Sequence, residues 1–442
     1  MMLQKIHRDL PSAVSLCFNG AKRVRQTATA LGRTGLDWVL EDSPSTPVLM
    51  RKTFERMGAT YIKIGQLIAS SPSIFPDEYV EEFQRCLDNT EPVPFKKMKK
   101  ILVKELGQNY MKEVFEYINP KPLASASIAQ VYAAKLKTGE DVVIKIQRPG
   151  VKDILTTDLN FLYFFAIIIE KIVPGMKHTS LAGIISEIRR TVMEECDFIK
   201  EAENLKIFSD FLEDTDNKKV TTPHVYYQAS TRRVLTMERF YGIPLTDRDQ
   251  LLDSTDEPHK ILGPAFETWI KSTTECKLFH ADLHAGNILI LDDGRVGFID
   301  FGVVGSIAKK TRKAVKSLIE SMIIHDFTMM AESMLAIGMT SRKVDKDKLA
   351  TDLENLYNVE DSYALTGPGH SSEEPEEPEQ FFLQIVNAAE EHGIRFPREF
   401  TLLIKQFLYF DSYGALLFDM GTLMEEMMEK MEGFNDMLAF SS

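Results

Sequence analysis

His280-Ala281-Asp282-Leu283-His284-Ala285-Gly286-Asn287, followed after two short apolar runs by Ile299-Asp300-Phe301-Gly302, is the stretch on which the reading of this chain turns. An aspartate five residues before an asparagine, with a histidine two before it, sets a proton-accepting carboxylate beside an amide able to hold a divalent cation. Asp-Phe-Gly offers a second cation-binding carboxylate. Between the two motifs, Ile288–Leu291 and Val296–Ile299 read as strands around an Asp292-Asp293-Gly294 turn. Such a hairpin returns the chain to its start and brings Asn287 and Asp300 to one point. Either motif alone is weak, because Asp-Phe-Gly arises by chance. The bland alternative is a pair of polar turns. Both motifs in order, joined by a hairpin, form a strong signal.

The same chemistry needs a cover over phosphate groups and a lysine behind it. Ala124-Ser125-Ala126-Ser127-Ile128-Ala129-Gln130-Val131 keeps the template G-x-G-x-x-G-x-V, with alanine at every glycine. Alanine adds a methyl group and removes access to positive φ, so this loop is expected to be stiff. Ser125 and Ser127 bring hydroxyls that could donate to phosphate. The strand after it carries Val142-Val143-Ile144-Lys145, matching V-A-I-K. Lys145 then requires a carboxylate on a helix. Glu194, Glu195, Glu201 and Glu203 all offer one, and spacing does not choose among them. On a continuous helix Asp197 and Glu201 share a face. Val225–Tyr227 and Arg233–Glu238 read as further strands. The second enters a turn at Tyr241-Gly242, which suits a hinge whose backbone, at Met237 and Glu238, meets an adenine. These segments together read as an ATP-binding, kinase-like core. Asp282 is its catalytic carboxylate, Lys145 holds the α/β-phosphates, and Asn287 and Asp300 hold Mg2+.

One further motif is foreign to ordinary kinases: Lys63-Ile64-Gly65-Gln66, a K-x-G-Q. With the alanine-rich loop, Lys145, the E-x-D of Glu195 and Asp197 followed by Glu201-Ala202, and the two motifs above, the chain resembles the UbiB/ADCK (ABC one) family of atypical kinases. The resemblance runs over residues 50–305 and on through 380–420. It implies an α+β, bilobal protein-kinase-like fold with a helical N-terminal extension. It selects Glu201 as the partner of Lys145. It implies that the helix bearing Lys63 and Gln66 folds over the nucleotide pocket near Glu195 and Asp197 and restrains access, so that turnover is slow. It also implies a role in prenylquinone (ubiquinone-type) biosynthesis or lipid homeostasis at an anionic membrane surface, with a lipid or quinone-like small molecule and a biosynthetic enzyme complex as partners. Two other readings compete. An aminoglycoside- or choline-type phosphotransferase shares H-x-D…N but lacks K-x-G-Q. An ATP-gated binding module would keep the nucleotide site with little catalysis. The chain departs from the family loop H-x-D-P-H-P-G-N at Leu283 and Ala285, which replace both prolines and bear on loop rigidity.

The bulk properties bound the rest. A chain of 442 residues, 44% hydrophobic and 26% charged, is long enough for two or three globular units without staples. We expect a helical extension over 1–120, punctuated by Pro92, Pro94, Pro120 and Pro122. A kinase-like N-lobe with a helical insertion over 151–212 should occupy 121–240, and a helical C-lobe 241–442. Thr366–Gln380 (TGPGHSSEEPEEPEQ) lacks apolar residues and reads as a mobile acidic loop. A net charge of −13 is poorly suited to gripping nucleic acid. Residues 1–35 are basic, which fits a transit peptide, a lipid-facing strip or a solvated helix face. Four dispersed cysteines with no CxxC argue against a disulfide framework or a cysteine zinc site. The apolar run Phe161–Ile169 is far short of the about 20 residues a membrane span needs. Near the C-terminus, Met420, Leu423, Met424, Met427, Met428 and Met431 recur at helical spacing and read as a packing helix. Membrane contact is therefore expected to be peripheral and intracellular, in a mitochondrion or plastid or on a bacterial cytoplasmic face. After Gly302 the chain turns helical quickly and has no A-P-E, which removes the usual platform for a peptide substrate.

Overall fold

The computed structural model describes residues 45–69, 77–84, 92–172, 181–254, 258–340, 344–366, 378–397, 399–400, 402–404 and 406. The basic segment 1–35, Cys17, Cys86 and the methionine stripe 420–431 lie outside the described residues. The chain divides into two compact units. One is the chain up to Glu201 with Val225–Arg239; the other is Ala202–His224 with the chain from Phe240 on.

The first unit opens with three helices, α1 (Thr46–Met57), α2 (Ala59–Ala69) and α3 (Asp77–Gln84). Gly58, at φ +95°, breaks α1 from α2 with a backbone conformation that costs glycine little. Next come α4 (Phe95–Leu106), α5 (Gln108–Val114), β1 (Phe115–Ser125), β2 (Ala129–Leu136), β3 (Asp141–Gln147), α6 (Val151–Ile172) and α7 (Leu181–Glu195). The first turn of α8 (Phe198–Asp214) belongs to this unit, and its remainder carries the chain into the second, where β4 (Val220–Thr221) lies. β5 (Val234–Glu238) returns to the first.

Two cores hold this unit together. In one, Tyr61, Ile62, Ile64 and Ile68 of α2 pack with Phe83, Leu155, Leu159, Ile188 and Val192. On α6, Val151, Leu155 and Leu159 recur every fourth residue, which puts them on one buried stripe. Within that core the Thr60 hydroxyl donates to the buried Asp158 carboxylate at 2.5 Å, which pins α2 to α6. The Phe161–Ile169 run is part of this amphipathic helix. No described helix is long and apolar enough to cross a membrane. In the other core, α4 lays Met98 and Leu102 against Tyr132, Ile144 and Ile146 of the sheet.

The sheet has the order β1-β2-β3-β5, antiparallel throughout. The Lys137-Thr138-Gly139 turn joins β2 to β3, with Gly139 at φ +108°. Two expectations fail here. The helical extension does not run to residue 120, because β1 occupies Phe115–Ser125 and contains Pro120 and Pro122. It is an edge strand, where proline is tolerated, and the pairing register shifts around Pro122. Nor is Val225–Tyr227 a strand. Val225 makes a single bridge to Met237, and Tyr227–Ala229 is a 3₁₀ turn. Side chains close that turn: Thr236 Oγ1 donates to Ala229 O at 2.7 Å and Ser230 Oγ to Tyr226 O at 2.9 Å.

The second unit continues with β6 (Gly242–Pro244), α9 (Arg248–Ser254), α10 (Pro258–Glu275), β7 (Phe279–His280), β8 (Ile288–Leu291), β9 (Val296–Phe298), β10 (Val304–Gly305), α11 (Lys309–Ile323), α12 (Phe327–Ile337), β11 (Met339–Thr340), α13 (Lys346–Thr366), α14 (Pro378–Glu391) and β12 (Ile394–Arg395). Its main sheet has the order β4-β9-β8-β6, and two-stranded pairs join β7 to β10 and β11 to β12. Thr366 ends α13 and Pro378–Gln380 open α14, so the acidic segment is helical at both ends. Residues 367–377, its centre, lie outside the described residues. Cys196 in the first unit and Cys276 here are both buried free thiols.

Aromatic rings fill the centre of this unit. Trp269, Phe208, Phe279, Phe298 and Phe301 are fully buried. Among them sits His280, also fully buried, with its ring 4.6 Å from that of Phe301. Nδ1 of His280 accepts the Asp282 N–H at 3.2 Å. The proton must then be on Nε2, which donates to Ile299 O at 3.1 Å. Burial pushes the His280 pKa down to about 4, against smaller upward pulls from its bond to Ile299 O and from Asp282 and Asp300. The folded chain thus resists protonating a group that the unfolded chain protonates near pH 6.5. The stabilisation is complete above that value and is lost as pH falls toward the folded pKa, by up to roughly 3 kcal/mol. Urea unfolding of the wild type and of His280→Gln across this window should show a shallower loss of stability in the variant. Parallel curves would contradict the assignment.

Candidate functional site

In the first unit, the alanine-rich segment forms a closed hairpin end. Ala124 pairs with Val131 and Ser125 with Gln130, and Ala126 N donates to Ala129 O at 2.9 Å. Ser125, Ser127 and Ala129 are buried, Ala126 and Val131 are partly covered, and Ala124 is exposed. Arg148 braces this end. Its Nε donates to Ala126 O at 2.7 Å, its Nη2 to Ser125 Oγ at 2.8 Å, and its backbone N–H to Ile128 O at 2.8 Å. The stiffness expected from alanine is thus reinforced by a guanidinium. Sequence reading missed Arg148. The signal was its place before Pro149-Gly150, where a strand ends and the chain turns back beside the loop.

Lys145 lies on the inner strand β3, opposite Val131 on one side and Leu235 on the other. Its Nζ donates to Glu201 Oε1 at 2.9 Å and Oε2 at 3.1 Å. The Phe198 ring lies 5.3 Å from the ammonium, close enough for a cation–π contribution. Of the four carboxylates spacing left open, geometry therefore gives Lys145 to Glu201. Glu195 goes elsewhere: it ends α7 and meets Lys63 of α2 at 2.8 Å, both side chains being mostly buried. Glu203 is exposed. Met237 and Glu238 lie on β5 opposite Val143 and Val142. The side chain of Gln66 lies outside the described residues.

The region 151–212 is helical as expected, but no helix runs through Asp197 to put it on one face with Glu201. α7 stops at Glu195 and α8 starts at Phe198. Asp197 stands between them, and its Oδ1 accepts the Ile199 N–H at 3.3 Å. It caps α8 rather than sharing a helical face with Glu201. A carboxylate at a helix start is stabilised by free N–H groups and by the helix dipole, which competes successfully with helix continuation. Its Oδ2 lies 3.7 Å from the mostly exposed Arg232 guanidinium, a weaker contact. Cys196 lies beside these charges, but burial first and Glu195 second push its thiol up to about 12. It stays protonated at neutral pH and is no nucleophile.

In the second unit, β7 leads into the Asp282 loop. Ala281 N donates to Val303 O at 3.1 Å, which ties the loop to the chain after Asp-Phe-Gly. Trp269 Nε1 donates to His280 O at 2.8 Å from below. Asn287 Nδ2 donates to Asp282 O at 2.9 Å, which leaves the amide oxygen as its acceptor end. Ile288 pairs with Phe298, and Ile299 N donates to Asn287 O at 3.0 Å, so the hairpin sets Asp300 next to Asn287. Asp300 takes φ +61°, a left-handed conformation rare for non-glycine residues and common where function demands it. Its Oδ1 accepts the Gly302 N–H at 3.3 Å. Phe301 is locked by Phe208 at 5.1 Å and by Asn204 Nδ2 donating to its carbonyl at 3.0 Å. Asn204 and Trp269 were also missed in the sequence, since nothing local marks them.

The donors suit a hard cation. Asn287 and Asp300 offer oxygen only, and among the described residues no three His, Cys, Asp or Glu side chains form a metal-holding group. That is too sparse for an all-protein cage. It fits Mg2+, which keeps waters and takes most of its remaining ligands from phosphate oxygens.

Comparison with known proteins gives the family and the fold. Residues 85–334 match the ABC1 atypical kinase-like domain. An uncharacterized chloroplastic aarF domain-containing protein kinase of Arabidopsis thaliana is 43% identical over 449 aligned positions, spanning 94% of this chain and 83% of that protein. A probable protein kinase UbiB of Azotobacter vinelandii is 30% identical over 295, or 66% of this chain and 54% of its own length. Among solved structures, that of the Mycobacterium tuberculosis protein Rv3197 with erythromycin superposes with a TM-score of 0.53 at 22% identity, over 89% of this chain and 93% of that one, which speaks for the fold alone. The α+β fold is kinase-like, and the chain belongs to the ABC1 (UbiB/ADCK) family of atypical kinase-like proteins.

Proposed function

We propose that this protein binds ATP with Mg2+ and transfers its terminal phosphoryl group slowly, to water or to a small hydroxyl-bearing lipid or quinone-like molecule. The observation that carries the reading is the two-point Lys145–Glu201 ion pair, at 2.9 and 3.1 Å. Phosphoryl transfer in kinases requires this pair in place, because it holds the lysine toward the α/β-phosphates. In this reading the backbone around Ala124–Val131, stiffened by Arg148, covers the phosphates. Met237 and Glu238 present main chain to the adenine. Asp282 orients the attacking oxygen and accepts its proton. Asn287 and Asp300 hold the cation, whose charge offsets the charge developing on the transferred group. Only residues 303–308 separate Gly302 from α11, which leaves little chain for a peptide-docking loop and favours a small acceptor.

The biological setting is part of the proposal. The family resemblance points to prenylquinone biosynthesis or lipid homeostasis beside an anionic membrane, in company with a biosynthetic complex. The chloroplastic relative favours a plastid among the compartments considered.

Magnesium-dependent ATP turnover by the purified chain, with and without anionic vesicles, tests the reading. Asp282→Asn should lower turnover by about 10²- to 10⁴-fold while nucleotide binding persists. Tight binding without turnover under any condition would favour an ATP-gated binding module. No nucleotide binding at all would remove the reading.

Lys63 and Glu195, with Gln66 and Asp197, are proposed to restrain access to the pocket through the Lys63–Glu195 pair at 2.8 Å. Lys63→Ala should change nucleotide affinity and raise turnover severalfold, measured by equilibrium binding and steady-state kinetics. If both stay as in the wild type, the restraint idea is wrong.

A further inference from the structure

Gln406 lies 123 residues beyond Leu283, yet its side chain is fully buried against that residue. Its Oε1 accepts the Leu283 N–H at 2.7 Å, and its Nε2 donates to the Leu283 carbonyl at 3.0 Å. Leu283 is itself fully buried and directly follows Asp282. A buried amide is costly unless its hydrogen bonds are made, and this one makes them with both main-chain groups of a single residue. Together with the two bonds described above, the pattern is complete. Asp282 N is held by His280, Asp282 O by Asn287, and Leu283 N and O by Gln406. Every main-chain polar group of these two residues is tied to a side chain buried in the second unit.

We propose that Gln406 is a positioning residue that sets the backbone of the Asp282 loop, and so the direction of the Asp282 carboxylate. The proposal rests on the phosphoryl-transfer reading for its kinetic consequence. The physical logic is specific to leucine at 283. A proline there would restrain φ by its ring and would have no N–H to give. Leucine leaves φ soft and presents a donor, and the Gln406 amide takes up that donor and restrains the loop from outside.

The test uses the full chain with Gln406→Leu and Gln406→Glu. Gln406→Leu should lower kcat by about tenfold to a hundredfold with the KM for ATP within about twofold, because a displaced carboxylate impairs the step and not the binding. Amide hydrogen exchange at Leu283 should speed up at least tenfold. Gln406→Glu guards against a variant that fails to fold. A protonated carboxyl can accept from Leu283 N and donate to its carbonyl, whereas the ionised form can only accept. Its turnover relative to wild type should therefore be highest at low pH and fall as pH rises. A wild-type kcat in Gln406→Leu, unchanged exchange at Leu283, or a pH-independent ratio for Gln406→Glu would each overturn the proposal. If the wild type itself turns over no ATP, the phosphoryl-transfer reading falls, and the exchange rate at Leu283 alone decides whether Gln406 holds the loop.

Discussion

Lys145 and Glu201 are both largely withdrawn from water and meet as an ion pair at 2.9 Å. Removing an ion from water costs several kcal/mol, which only a close opposite charge with well-made hydrogen bonds offsets. Glu201 stands in the first turn of α8, so that requirement fixes the start of the helix against β3. Other bonds serve the same end. Asp197 caps the helix, Phe198 N donates to Arg232 O, and the Gln147 amide reaches the carbonyls of Cys196 and Arg232. A few residues on, the same helix carries Asn204 and Phe208, which secure Phe301 of the Asp-Phe-Gly segment. One ion pair thus stands at the head of α8, whose later turns belong to the second unit and hold Phe301 there.

The short stretch from Glu195 to Glu201 divides its carboxylates among three tasks. Glu195 meets Lys63, Asp197 caps α8, and Glu201 meets Lys145. The division depends on the break between α7 and α8, which turns successive acids in different directions. The second unit shows a related economy with neutral groups. His280, Asn287 and Gln406 hold the Asp282 loop through backbone hydrogen bonds in a dry environment, where each bond is stronger than in water and an unmade one is costly. The low pKa of His280 follows from the same burial and keeps the ring neutral, so that its Nδ1 can accept the Asp282 N–H.

Much of this was legible in the sequence where the signal is local. The hairpin between Asn287 and Asp300 could be read because two short apolar runs and an Asp-Gly turn specify it over a dozen residues. The strands carrying Lys145 and Glu238 could be read from similar apolar runs beside glycine-containing turns. β1 was missed because two prolines normally argue against a strand, and only its place at the sheet edge makes them harmless. The break at Asp197 was missed because the flanking residues suit a helix, and the cap prevails only once Phe198 N pairs with Arg232 O from a distant segment.

The sequence by itself determined which chemical groups are present and which local turns set them: an aspartate, an asparagine and a second aspartate at kinase-like spacing, a lysine on an inner strand, and a phosphate-cover template stripped of glycine. Spacing left open which of four glutamates faces Lys145; the family resemblance selected Glu201, and the tertiary structure makes that pair, gives Glu195 to Lys63, and brings Arg148 and Gln406 to brace the two loops. Those pairings join residues from 22 to 132 positions apart. Local spacing carries no information about them, because they are chosen by which buried charge or amide the packed core brings within hydrogen-bond reach of another.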